Sequence, residues 1–119
     1  MAGNWNCSGG TFQSTTEGTV LLSGASKTIT TGASNAFFNL TINNSASTAG
    51  SNAIEVAGTL TVSGALTVSP GDELTLEDAT VSGTLTVDAD GSNSATIDFS
   101  DASSADFDVS GTLILDGED

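Results

Sequence analysis

The seven residues Val81–Val87, VSGTLTV, are written almost unchanged at Val56–Val62 as VAGTLTV and again at Val109–Leu115 as VSGTLIL, at spacings of 25 and 28 residues. Self-similarity at that period constrains a chain of 119 residues more than any other feature. It points to similar units stacked on one another rather than to one globular core. After the glycine of each copy, apolar and polar residues alternate strictly, the pattern of a half-buried strand. Leu60 and Val62, Leu85 and Val87, and Leu113 and Leu115 are the inward residues this pattern predicts, with Leu60, Leu85 and Leu113 stacking in adjacent coils. The glycine ahead of each strand suits a bend at its entrance.

Short segments of the same kind fill the intervals: Phe38–Ile42, Ala53–Val56, Ala65–Val68, Glu73–Leu76, Ala95–Phe99 and Asp106–Val109, with Gly18–Gly24 and Lys27–Thr30 upstream. The corners between them are rich in Ser, Gly, Asp and Asn, and no ten-residue window carries a helical apolar period. These features predict an all-β fold, a short parallel β-solenoid (β-helix) of about four coils in a single domain over residues 1–119. The coils fall near residues 11–33, 34–64, 65–91 and 92–115. A β-sandwich is the alternative, since many short strands with turn signals also fit it. Sandwich hairpins call for Asn-Gly or Asp-Gly turns, and between strands only Asp90–Gly91 qualifies.

Charge removes several classes of function. Lys27 is the one cation against fifteen carboxylates, for a net charge of −14. Binding a phosphate backbone requires clustered Lys and Arg, so nucleic acid is excluded as a direct partner. Anionic membrane surfaces are disfavoured on the same ground, and no apolar run approaches the roughly 18 residues of a membrane-spanning helix. The N-terminal MAGNWNCSGG has neither the charged nor the apolar region of a signal peptide. Cys7 is the only cysteine, so no internal disulfide forms.

GNWNCSGGTF, GTVLLSGASKTITTG, AFFNLTINN and VAGTLTVSGALTV, taken together, resemble the repeat of large adhesin-like surface proteins of bacteria and archaea. The resemblance covers Gly3–Val68 closely and the rest more loosely; FFNLTINN is its most specific part, whereas GTLTV alone is generic. Repeats of that family wind into parallel β-solenoids. The resemblance implies a structural or adhesive role at a surface and carries over no catalytic residue.

With no histidine in the chain, Ser-His-Asp and Cys-His catalysis and His-ligated metals are absent. Paired carboxylates suit glycoside hydrolysis, but four coils offer little groove and few aromatic rings to hold a sugar, so no enzyme is expected. Thirteen of the fifteen carboxylates lie in residues 72–119. Asp88 and Asp90 begin like a calcium loop, though the third ligand and closing Glu of an EF-hand are missing. Corner carboxylates Asp88, Asp90, Asp98 and Asp101 are the candidate calcium ligands; the competing reading is a solvated acidic surface that keeps a β-rich protein soluble. The Thr-Leu-Thr triplets at Thr59–Thr61 and Thr84–Thr86 resemble ice-binding rungs, but the third copy reads Thr112–Leu113–Ile114, and threonine is a good exposed strand residue in its own right. Asn6, Asn39 and Asn43 match the glycosylation acceptor pattern, which arises by chance in a chain this rich in Asn, Ser and Thr.

The function expected from these observations is a non-enzymatic structural protein assembling on an exterior surface: a virion decoration or fibre, an extracellular filament, or a surface-layer subunit. A start at Met1 without an export signal favours the virion version. Its partners would be copies of itself, in a homo-oligomer or filament, and a shell or capsid protein. Head-to-tail contact between a neutral first coil and an acidic last coil is the expected mode, with side-by-side packing as a trimer the alternative. An adhesin-type binding module of a giant secreted surface protein is the rival reading.

Overall fold

The structure, a computed structural model, describes residues 4–14, 17–24, 27–31, 35–43, 54–90, 92–99 and 106–116. The described residues are all-β, with no helix, and so none long and apolar enough to cross a membrane. Numbered in chain order, the strands fall into two sheets. One runs β1 (Trp5–Asn6), β3 (Lys27–Thr30), β5 (Ile54–Val62), β7 (Glu73–Val81) and β10 (Phe107–Val109), with β9 (Thr96–Asp98) also paired to β7. The other runs β2 (Thr19–Leu22), β4 (Asn39–Ile42), β6 (Leu66–Val68), β8 (Thr84–Asp88) and β11 (Thr112–Asp116). The chain alternates between the sheets from β1 to β8. Every pairing between these strands is parallel, which the hairpins of an antiparallel β-sandwich would not give.

Parallel register aligns like with like. In the five-stranded sheet Val20, Leu40, Leu66, Leu85 and Leu113 form one column, and Leu22, Ile42, Val68, Val87 and Leu115 the next. In the six-stranded sheet Ile54, Leu74 and Ile97 form a column, as do Ile29, Val56 and Leu76, and Val62, Val81 and Val109. The inner members of these columns are fully buried and make one core. Residues between them face outward, so Thr41, Thr67 and Thr86 stack on the surface between Leu21 and Ile114.

The corner residues explain why the phrase repeats. Ser82 N–H donates to the Val62 carbonyl at 2.9 Å, and Ser110 N–H to that of Val81 at 3.1 Å, so successive Ser-Gly corners lie on top of one another. A β-carbon on Gly83 would run into the Gly64 carbonyl, and one on Gly111 into the Gly83 carbonyl. Only glycine fits there. The three copies that share this corner are VSGALTV at Val62–Val68, VSGTLTV at Val81–Val87 and VSGTLIL at Val109–Leu115. One rung earlier the chain is a residue shorter, running from Phe37 to Leu40 where its neighbour runs from Val62 to Leu66. Asn39 makes up the difference: its side-chain Oδ1 accepts the Ala65 N–H at 2.8 Å, where a backbone carbonyl would otherwise serve.

Val56–Val62 is therefore not the equivalent of Val81–Val87, contrary to the sequence expectation. Ile54–Val56 and Thr59–Val62 join into the nine-residue β5, and Gly58 lies inside it rather than at a corner. The register with β7 slips between the pairs Val56–Leu76 and Thr59–Asp78, so two residues oppose one in a bulge. Gly58 sits there at φ +101°, its N–H donating to Glu77 Oε2 at 2.9 Å, while Thr31 Oγ1 donates to the Thr59 carbonyl at 2.9 Å. Leu60 is buried as expected, but it stands beside Ala79 instead of Leu85.

The two ends differ. Near the N-terminus Trp5, Phe12 and Phe37 form a ring cluster, with centroids 4.9 Å (Trp5–Phe12) and 5.3 Å (Phe12–Phe37) apart. Buried Asn35 ties it down, accepting the Phe12 N–H at 2.7 Å and donating Nδ2 to the Cys7 carbonyl at 2.9 Å. Trp5 and Phe12 thus pack against the core at this end. At the other end β11 is exposed at every position.

Candidate functional site

Two surface features stand out from the core, and both arise from register. The first is a groove of about 300 Å³ lined by Thr59, Asp78, Ala79, Thr80, Asp106 and Asp108. The Gly58 bulge sets Thr59 opposite Asp78, and the parallel pairing of β10 on β7 sets Asp108 beside Thr80. Asp106 N–H donates to Asp78 Oδ1 at 3.0 Å and fixes that carboxylate on the groove wall. Carboxylates and hydroxyls with no cation beside them make this an acceptor-rich surface suited to a polar or cationic group.

The second feature is β11. Leu113 and Leu115 continue the two apolar columns of the five-stranded sheet in register with Leu85 and Val87, yet they are 52% and 72% exposed. The sequence placed both in the core. They lie on the core side of the sheet as the alternation requires, but no further strand among the described residues stacks on them. The opposite end of the same column, Leu22, is only 3% exposed. Leu60, Val62 and Leu85 are buried, and Val87 is half-buried next to the open rung.

Of the candidate calcium ligands, Asp88, Asp90 and Asp98 lie within the described residues. Asp88 ends β8, with Asp116 directly beside it in register. Asp98 ends β9 in the other sheet, opposite Thr75. Asp90 turns its Oδ1 inward on its own loop, accepting the N–H groups of Ser92 at 3.0 Å and Asn93 at 2.9 Å. The Ser92 N–H leads in holding its carboxyl below the usual aspartate value; desolvation opposes it, and the side-chain and backbone bonds from Asn93 add to the lowering. Asp101 lies outside the described residues. Among the described residues no three Asp, Glu, Cys or His side chains come close enough to share a metal ion. Cys7 is half-buried and free.

The groove acids Asp78, Asp106 and Asp108 were not singled out in the sequence. Their signal was present: Asp106 and Asp108 alternate with Phe107, so both face outward once Val109 is placed beside Val81. Compared with protein-family models, curated proteins and solved structures, the chain matches none of them.

Proposed function

We propose that the chain is a short parallel β-solenoid acting as a non-enzymatic structural protein, which assembles with copies of itself at an exterior surface such as a virion or an extracellular layer. The two parallel sheets, the alternation of the chain between them and the stacked Ser-Gly corners support the solenoid reading. The observation that carries the assembly reading is the in-register apolar rung at β11, with Leu113, Ile114 and Leu115 all exposed. An edge strand with large apolar side chains and free backbone groups templates pairing with another chain unless something blunts it. Asp116 alone among the residues of this strand supplies charge.

Sedimentation velocity over a range of concentrations in moderate salt tests the reading: a closed oligomer or fibre is the expected species. A stable monomer at high concentration would overturn it. The acidic groove of Asp78, Asp106 and Asp108 favours the second reading, an adhesin-type binding module for a polar or cationic ligand, and that reading would then take precedence. Neighbouring genes separate the two settings, since a virion protein lies among capsid and tail genes and an adhesin module within a long exported reading frame.

A further inference from the structure

Resting on the self-assembly reading, we infer that the partner of β11 is β11 of a second copy, paired antiparallel across a two-fold axis that passes beside Ile114. Three features of the strand fit this one occupant. First, its apolar residues are symmetric about Ile114: a two-fold axis there sets Leu113 against Leu115 of the other copy, both on the core side, and Ile114 against its own equivalent on the outer side. Both pairs of columns then continue from one molecule into the next.

Second, the backbone is phased for it. Thr112 N–H donates to the Gly83 carbonyl and the Asp116 carbonyl accepts the Ala89 N–H, so these residues turn toward β8. By alternation Leu113 and Leu115 turn their N–H and C=O groups to the open edge. Antiparallel pairing about Ile114 makes Leu113 and Leu115 hydrogen-bonded partners twice over and leaves Ile114 in the non-hydrogen-bonded position.

Third, burial at the far end disfavours the head-to-tail arrangement expected from sequence, and the antiparallel register limits the repulsion that pairing two acidic ends brings. Leu22 is covered at the far end of the column, so that end has little core-side apolar surface to gain there, and its half-exposed Leu21 lies on the outer face. Antiparallel pairing sets Asp116 opposite Thr112 of the partner rather than opposite Asp116. At roughly 3.4 Å per residue the two Asp116 positions are then about 14 Å apart along the strand. That exceeds a Debye length of about 10 Å at 0.1 M salt, so salt strengthens the pairing by screening the acids around it.

The test uses the full chain with Cys7→Ser as background. Ile114→Cys changes one exposed side chain, and the axis would place the two Cα atoms about 4.5 Å apart, within the roughly 4.4–6.8 Å range that a disulfide spans. Mild oxidation of this variant should give a covalent dimer in high yield, more in 0.5 M than in about 0.05 M NaCl, and the parent should sediment as a dimer in the high salt. Two outcomes overturn the inference, and they are distinguishable. If the parent assembles but cross-links form only in the double variant Leu21→Cys/Ile114→Cys, the contact is head-to-tail; the two-fold pairing fails and the assembly reading stands. If the parent stays monomeric and Ile114→Cys does not cross-link, both fail, and β11 is left to a shell protein or to further chain.

Discussion

Gly83 rests against the carbonyl oxygen of Gly64, one corner below it, with no room for a β-carbon between them. The contact recurs where Gly111 lies on Gly83, so the Ser-Gly corners form a stacked spine along one side of the molecule. Overpacking of this kind costs about 1–3 kcal/mol, because backbone rather than a flexible side chain must move. Gly83→Ala should lower stability by that amount in urea unfolding. Gly9→Ala, with nothing within 4 Å of the added carbon, is the control and should differ little from the parent.

Leu85 and Leu115 occupy neighbouring core-side columns with opposite exposure, 1% against 72%. Leu85→Asp buries a charge with no partner and should cost on the order of 4 kcal/mol or more. Leu115→Asp, measured at low protein concentration to exclude association, should shift stability by less than about 0.5 kcal/mol. Equal losses at the two positions would mean that the register described here is wrong at β11.

Asp90 supplies a pH dependence of known sign. The Ser92 and Asn93 N–H groups hold its carboxyl below the ordinary value of 3.8. A folded-state pKa that is depressed contributes stability in full above the unfolded value, and the contribution is lost as pH falls through the folded value. The window is thus below about pH 4. An NMR titration should show the Asp90 carboxyl still ionised where exposed carboxyls are half protonated, and Asp90→Ala should loosen the turn at Ser92–Asn93, read as faster amide exchange there.

Thirteen carboxylates crowd residues 72–119, with Lys27 the sole cation of the chain. Their mutual repulsion opposes the compact state, so thermal stability should rise with ionic strength. At matched ionic strength NaCl and CaCl₂ should act alike if screening is the cause. A response that saturates at low Ca²⁺ and is absent with Na⁺ would instead establish a calcium site, and Asp101→Asn is then the first substitution to make.

The sequence by itself determined the strand class and the faces. Alternation has a period of two, and that alone assigns Leu85 to the core side and Thr86 to the surface whatever the partner strand. Ser-Gly recurs at the stacked corners because a position where a carbonyl occupies the place of a β-carbon accepts only glycine, but the matching of whole phrases set Val56–Val62 in the place of Val62–Val68. What the sequence left open was register between strands about 20 to 30 residues apart. VAGTLTV and VSGTLTV differ at one position, yet Gly58 is a bulge inside a strand of one sheet, held by Glu77 and Thr31, while Gly83 is a corner leading into the other. Seven residues of local text do not contain that difference; it lies in hydrogen bonds to residues 19 and 28 positions away. Exposure at the ends was equally a tertiary matter. Leu22 and Leu115 carry the same side chain in the same column, and only the packing around each end decides that one is covered and the other bare.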